Sequence, residues 1–356
     1  MSVESDKTTH TSRSMPDGRT IHYYRRPSTA PALPTASIIT GGLGYIGQSL
    51  AYRLRAEGKT VVVVDVREIP SQVPKIDVVR GSVGDLEVWE FIRARYQIEV
   101  VYHCAGLISV AESVSDPARY YQQNVSEAIH MLDHLRLGTP IPLVFSSSAG
   151  VYGNPETVPI PETAKKEPLS PYGTTKRQFE QILDDYYRAY QMPYVALRYF
   201  NAAGHLGTVR ERHQPETHVL PLMATAIRQG RQPVVYGHDY DTPDGSAIRD
   251  YIHVADLVDA HLRAAEYLAT GGTPMPINLG SGKGTSVLEL IHTFSRISGN
   301  AVPPQLTDRR AGDPPRLVAD IDQAKLLLKW EPRHSNIEAV VSDAWQASQE
   351  EDGDHA

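Results

Sequence analysis

From residue 36 to about 203 the chain alternates two patterns. Runs of apolar and β-branched residues at 37–40, 61–65, 100–104 and 141–146 are separated by stretches whose apolar residues recur every three or four positions. The runs predict buried strands. Ile46, Leu50 and Leu54 share one helical face, residues 85–94 predict a second helix, and Tyr121, Val125, Ala128 and Leu132 line a third. A further helix carries Tyr172 onward. Such alternation builds βαβ units, hence an α/β fold with a doubly wound parallel sheet. From about 204 the pattern loosens, with joints at Pro221, Pro233, Pro274, Pro314 and Pro315. Residues 204–347 read mainly as a smaller α/β lobe over the sheet edge, holding a substrate, with some segments returning to the first lobe. Residues 1–35, rich in Ser, Thr, Pro and Arg, predict a mobile leader with no packed element, and 348–356 an acidic, frayed tail.

Composition narrows the function. A formal charge of −7 gives no basic surface for nucleic acid. No apolar run approaches the roughly 20 residues that span a bilayer, and the first 36 residues lack a signal-peptide core, so a cytoplasmic protein without a membrane partner is expected. The single cysteine, Cys104, excludes an internal disulfide and a thiolate metal cluster, and reads as a small buried hydrophobe. His130 and His134 stand four apart on a helix with no third ligand, so no metal is expected and both read as exposed.

Chemistry concentrates where strands end. Gly41, Gly44 and Gly47 follow the first strand in a G-x-x-G-x-x-G spacing, which lets a backbone turn approach a pyrophosphate at a helix N-terminus. Asp65 closes the second strand, where a carboxylate accepts from an adenosine ribose and repels a 2′-phosphate. NAD is therefore favoured over NADP, a preference Arg67 weakens. Tyr172 and Lys176 lie one helical turn apart, and a neighbouring ammonium with an oxidised nicotinamide would favour the phenolate of Tyr172. Ser146, Ser147 and Ser148 end a strand at the same carboxyl edge, where a serine can share a substrate hydroxyl with Tyr172.

In these motifs the chain resembles the extended short-chain dehydrogenase/reductase superfamily, a Rossmann-fold group, and within it the UDP-glucose 4-epimerases. The resemblance runs from about 36 to 347. Besides 40–47, 146–152 and 170–176, it includes His103-Cys104-Ala105-Gly106-Leu107, Glu112-Ser113, 120–124 and Leu197-Arg198-Tyr199-Phe200-Asn201. Further on come 215–218, 242–245, Arg249-Asp250-Tyr251-Ile252-His253-Val254 and Arg309-Arg310-Ala311-Gly312-Asp313. It implies that Tyr172 is the acid/base, that Ser148 assists proton transfer, and that Lys176 binds the nicotinamide ribose and tunes Tyr172. It assigns NAD to Gly41, Gly44, Tyr45, Ile46, Gly47, Asp65, Ser82, Val83, Cys104, Ala105, Gly106, Asn124, Ser146 and Tyr199, with Tyr172 and Lys176. A UDP-sugar would meet Ser148, Tyr172, Asn201, His218, Val219, Tyr236, Arg249, Arg310, Asp313 and Leu317.

The implied reaction is 4-epimerisation of a UDP-hexose through a 4-keto sugar on a retained NAD, in a homodimer paired through helices at 120–135 and 172–190. Three residues depart from the pattern. Ser82 stands where these enzymes commonly carry an Asp touching the adenine, Ile108 replaces a lysine near the sugar phosphates, and Leu317 replaces a bulky aromatic. The last leaves UDP-N-acetylglucosamine open beside UDP-glucose and UDP-galactose, with UDP-glucuronate a further alternative. A 4,6-dehydratase needs a carboxylate pair that residues 148–151 lack, Asp65 argues against an NADPH-exchanging reductase, and an inactive scaffold predicts a damaged Tyr or Lys.

Overall fold

The computed structural model describes residues 9–14, 20–25, 32–68, 76–210, 218–310 and 313–350. The rest of the leader, the tail from 351, and motif residues 215–217 and 311–312 lie outside these. Seven strands form one sheet: β1 (Thr35–Thr40), β2 (Val61–Asp65), β3 (Asp77–Arg80), β4 (Gln97–His103), β5 (Leu143–Ser148), β6 (Tyr194–Tyr199) and β7 (Met275–Leu279). Their order is β7-β6-β5-β4-β1-β2-β3, and every pairing is parallel. This is the doubly wound order of a Rossmann sheet with one strand added.

The helices are α1 (Tyr45–Ala56), α2 (Leu86–Arg95), α3 (Glu127–Leu135), α4 (Pro171–Tyr190), α5 (Val219–Arg228), α6 (Val254–Ala269), α7 (Val287–Ser298) and α8 (Ile337–Glu350), besides shorter ones. Alternation along the strands assigns the two layers. Ile38, Val62 and Val64 pack with Trp89 and Ile92 of α2, Leu132 of α3, and Phe179 and Leu183 of α4. Ile39, Val61 and Val63 pack on the opposite face with Leu50 and Leu54 of α1 and Leu257 and Val258 of α6. All residues of β2 are buried, as a strand covered on both faces must be. Met131 and Leu135 of α3 and Phe179 of α4 fill the core of the chain itself.

The second lobe is discontinuous in sequence. Its core joins α5, α7 and α8 through Leu220, Met223, Leu290, Phe294, Val340 and Val341. Its central strand, Ile248–His253, pairs with Asn201–Ala203, Gly284–Ser286 and Arg316–Leu317. Between these segments the chain returns to the first lobe, where α6 covers the sheet and β7 extends it.

Two expectations at the ends change. Thr9–Ser14 and Thr20–Arg25 form an antiparallel pair within the leader, whose β-branched and aromatic residues favour extended structure. The last helix runs to Glu350 and buries Ser348, so the first residues assigned to a frayed tail belong to the fold. Among the described residues, no helix is long and apolar enough to cross a membrane.

Candidate active site

The turn after β1 is built for close approach. Gly41 has φ +67°, and a Cβ there would lie 2.6 Å from the Ala105 backbone. A Cβ on Gly47 would collide with the Gly41 carbonyl, and Gly44 N–H donates to that same carbonyl at 3.0 Å. Gly44 is the N-cap of α1, with no side-chain cap and no acidic residue in the first turn. Backbone donors and the positive end of the helix dipole therefore face outward together, an arrangement suited to a pyrophosphate. The residues present fit a dinucleotide. The Tyr45 hydroxyl donates to the Gly204 carbonyl at 2.7 Å, which ties the start of α1 to the second lobe's first segment. Ile46 packs against the core.

Asp65 lies beside this turn. Its Oδ2 accepts from Leu43 N–H at 3.0 Å, and Arg67 forks across both oxygens at 3.0 and 2.8 Å. Burial opposes ionisation of Asp65, yet the Arg67 guanidinium and the backbone N–H groups outweigh it and hold the carboxyl below its ordinary value. Ser82 and Val83 follow β3 at the same edge. The Ser82 hydroxyl donates to Glu127 at 2.6 Å, and Val83 is buried with its carbonyl bonded to Trp89 at 2.7 Å.

The loop after β4 forms the floor of the site. Asn124 sits in a π-helical turn, Gln122–Ser126, and its amide grips both backbone groups of Leu107 at 2.8 and 3.0 Å and Thr175 Oγ1 at 3.1 Å. A Cβ on Gly106 would reach 3.0 Å from Asn124 Oδ1 and 3.7 Å from Lys176 Nζ. Cys104 differs from its expected role, since it is only partly buried. Its thiol accepts from Ser146 Oγ at 3.3 Å, and burial pushes it up to about 11. His134 is likewise half-buried rather than exposed, while His130 is exposed.

Ser170 caps α4 by accepting from Gly173 N–H at 3.2 Å, and Pro171 suits the first helical position. Tyr172 and Lys176 thereby occupy the first turns of α4, facing the end of β5. Lys176 Nζ donates to the Ser146 carbonyl at 2.8 Å and lies 5.9 Å from the centre of the Tyr172 ring. Burial pulls Lys176 down to about 8. Burial also raises Tyr172 above its ordinary value, against a lowering contact from Ser148. The lowering expected from the Lys176 ammonium does not contribute; Ser148 alone pulls toward the phenolate, and burial outweighs it. Ser148 pairs in register with Tyr199, whose phenol burial also raises.

The predicted substrate residues lie on the strands and loops of the second lobe. Arg249 bonds to Asp313, Leu317 stands opposite Arg249 in the strand register, and the Arg310 guanidinium lies 3.7 Å over the Tyr236 ring. Asn201 pairs with Tyr251 on the same sheet, and His218 and Val219 open α5. Beneath the site lies a buried network that residue spacing did not reveal. Glu180 accepts from Ser147 Oγ at 2.6 Å and from Arg198 at 2.9 and 2.6 Å. Arg198 also donates to Tyr152, which bonds to Asn278 at 2.6 Å. Arg198, Ser147 and Tyr152 stood inside sequence motifs, but nothing in their spacing joined them to Glu180 or Asn278. Glu127 carried no signal, because a helix's first residue is often a solvated acid.

The sequence pattern of the NAD dependent epimerase/dehydratase family matches residues 37–280. A UDP-glucose 4-epimerase of Azospirillum brasilense is 41% identical over 326 residues, covering 88% of this chain and 92% of that one. Among solved structures, a UDP-glucose 4-epimerase from Brucella ovis in complex with NAD superposes with a TM-score of 0.83 at 40% identity, covering 88% of this chain and 98% of that one. One from Stenotrophomonas maltophila, with bound NAD and formylated UDP-arabinopyranose, gives 0.84 at 34% identity, covering 90% and 100%. A match over most of the chain, with the glycine turn and the Tyr172 and Lys176 pair both inside it, means that this protein belongs to the NAD dependent epimerase/dehydratase family.

Proposed function

We propose that this chain is an NAD-dependent 4-epimerase of a UDP-hexose, interconverting UDP-glucose and UDP-galactose. One observation carries the reading: Ser148, Tyr172 and Lys176 lie together at the carboxyl edge of the sheet, close to the glycine loops. The Azospirillum brasilense relative and the Brucella ovis structure bear the same activity in their names. Bound NAD supplies a hydride acceptor that becomes the donor on the return step. Tyr172 takes the proton of the sugar 4-hydroxyl and later returns it, and Ser148 shares that hydroxyl and holds the phenol in line. Lys176 fixes the nicotinamide ribose, and the Ser148 contact favours the phenolate of Tyr172. Arg249 and Arg310 clasp the diphosphate, the fixed point about which a 4-keto sugar turns. Asp313 orients Arg249 and Tyr236 backs Arg310.

Proton NMR of the purified protein with UDP-glucose, and no added NAD, should show the galacto epimer. Tyr172→Phe should retain bound dinucleotide and lose about 10²- to 10⁴-fold in turnover. Unchanged turnover in Tyr172→Phe would remove the assignment. Leu317 beside Arg249 favours one further substrate, UDP-N-acetylglucosamine, to be run in parallel.

A further inference from the structure

Ser82 and Asp65 are neighbours at the edge of the sheet. Asp65 pairs with Arg80 in the strand register, and Gly81 N–H donates to the Asp65 carbonyl at 3.0 Å. A base on a ribose held by Asp65 would therefore lie beside the loop that begins at Ser82. That loop is fixed from below by the Trp89 bond to Val83 and faced from the side by Glu127, the first residue of α3. Ser82 donates its only hydroxyl proton to Glu127 Oε2 at 2.6 Å, and Gln122 Nε2 donates to Oε1 at 3.1 Å. Gly84 is moulded to the same carboxylate, since a Cβ there would collide with Glu127 Oε2. The Ser82 hydrogen bond, chiefly, holds Glu127 below its ordinary value against a smaller opposing effect of burial. The group is thus an ionised, oriented acceptor, and a carboxylate has about four lone-pair sites, more than these neighbours fill.

We propose that Glu127 supplies the carboxylate that reads the 6-amino group of the dinucleotide's adenine, delivered from α3 because Ser82 has none to offer. This rests on the assignment of an NAD site above. The chemistry follows from the donor pattern of the base: adenine presents an N–H donor at position 6, hypoxanthine a carbonyl oxygen that a carboxylate repels. Ser82 acts as a positioning residue, holding Glu127 against the loop.

The discriminating test is exchange, not turnover. Full-length protein is incubated with equal NAD and nicotinamide hypoxanthine dinucleotide, and the bound nucleotides are released and quantified by chromatography. The wild-type protein should favour NAD about tenfold or more, the ratio expected of a charge-assisted hydrogen bond. Glu127→Ala should bring the ratio to near one, by weakening NAD and by relieving the repulsion of the hypoxanthine analogue, and Ser82→Asp added to it should restore the preference. A ratio unchanged in Glu127→Ala, or an equal loss of both dinucleotides, would overturn the proposal and leave Glu127 a purely structural helix-end acid. Should Glu127→Ala not fold, Glu127→Gln serves: its amide can donate to a carbonyl, so preference should shift toward the hypoxanthine analogue. Wild-type protein that binds neither dinucleotide would instead remove the NAD-site assignment itself.

Discussion

Arg67 shows how far a single side chain can shift a specificity that spacing alone suggests. Asp65 was legible in the sequence because a carboxylate after four valines, following a glycine turn, has few other uses. The fork from Arg67 was not, since residue order does not say where a long side chain points. With both oxygens of Asp65 already engaged, the carboxylate repels a 2′-phosphate less, and the guanidinium offers that phosphate a partner. Arg67→Ala should therefore leave NAD binding nearly unchanged and weaken NADP binding by about tenfold, the order expected for loss of one charge-assisted contact. Competition titration of the two dinucleotides measures this, and equal effects on both would show Arg67 to be no determinant. Tyr172 and Lys176 were legible in the same way, as a spacing on a helix. The balance that raises Tyr172 was not, because burial is a tertiary quantity.

Elements were most legible where one local signal dominated. The valines of β2, the glycines opening α1, and Ser170 with Pro171 before α4 each mark a boundary. The π-helical turn that aims Asn124 has no such signature. Nor does the burial of two histidines that close β4 and line α6. His103 Nδ1 lies 2.7 Å from Thr40 Oγ1 between the rings of Phe145 and Phe179, and His261 Nδ1 lies 2.7 Å from the Leu257 carbonyl. Burial pulls them down to about 3 and about 4. In the unfolded chain each titrates near ~6.5, so between that pH and about 4 the unfolded state holds more protons. Stability is then fully present above pH ~6.5 and lost as the solution is acidified, by about 1.4 kcal/mol per pH unit for each histidine. Urea unfolding at pH 6.5 and 5 should differ by about 3 kcal/mol, and His261→Gln should roughly halve that difference. The lowered carboxyls of Asp65 and Asp343 act at still lower pH, so an undiminished loss in His261→Gln would assign the effect elsewhere.

At the scale of the molecule, the sequence pattern separated two lobes but could not tell which sheet a later strand joins. Met275–Leu279 has the composition of any buried strand, and only its contacts place it beside β6. Its return brings Asn278 under the active site, where it joins Tyr152, Arg198, Glu180 and Ser147 in one hydrogen-bonded chain. This chain ties α4, which carries Tyr172 and Lys176, to β5, β6 and β7 at once. The side chains of Arg198 and Glu180 are only 1% and 6% exposed, so neither charge is solvated if its partner is lost. Arg198→Met should therefore destabilise the fold by about 3–5 kcal/mol, while Arg198→Met combined with Glu180→Leu should recover most of it. Recovery stays incomplete because Ser147 loses its acceptor, whereas Tyr152 keeps Asn278. Turnover should remain low in the recovered double variant, because α4 and the end of β5 are no longer held in register by Glu180. Urea denaturation reads the first effect and the epimerisation assay the second. A double variant as unstable as Arg198→Met alone would show that the pair is held by more than its own charges. Full activity in a restored fold would show that the network stabilises the molecule without positioning its site.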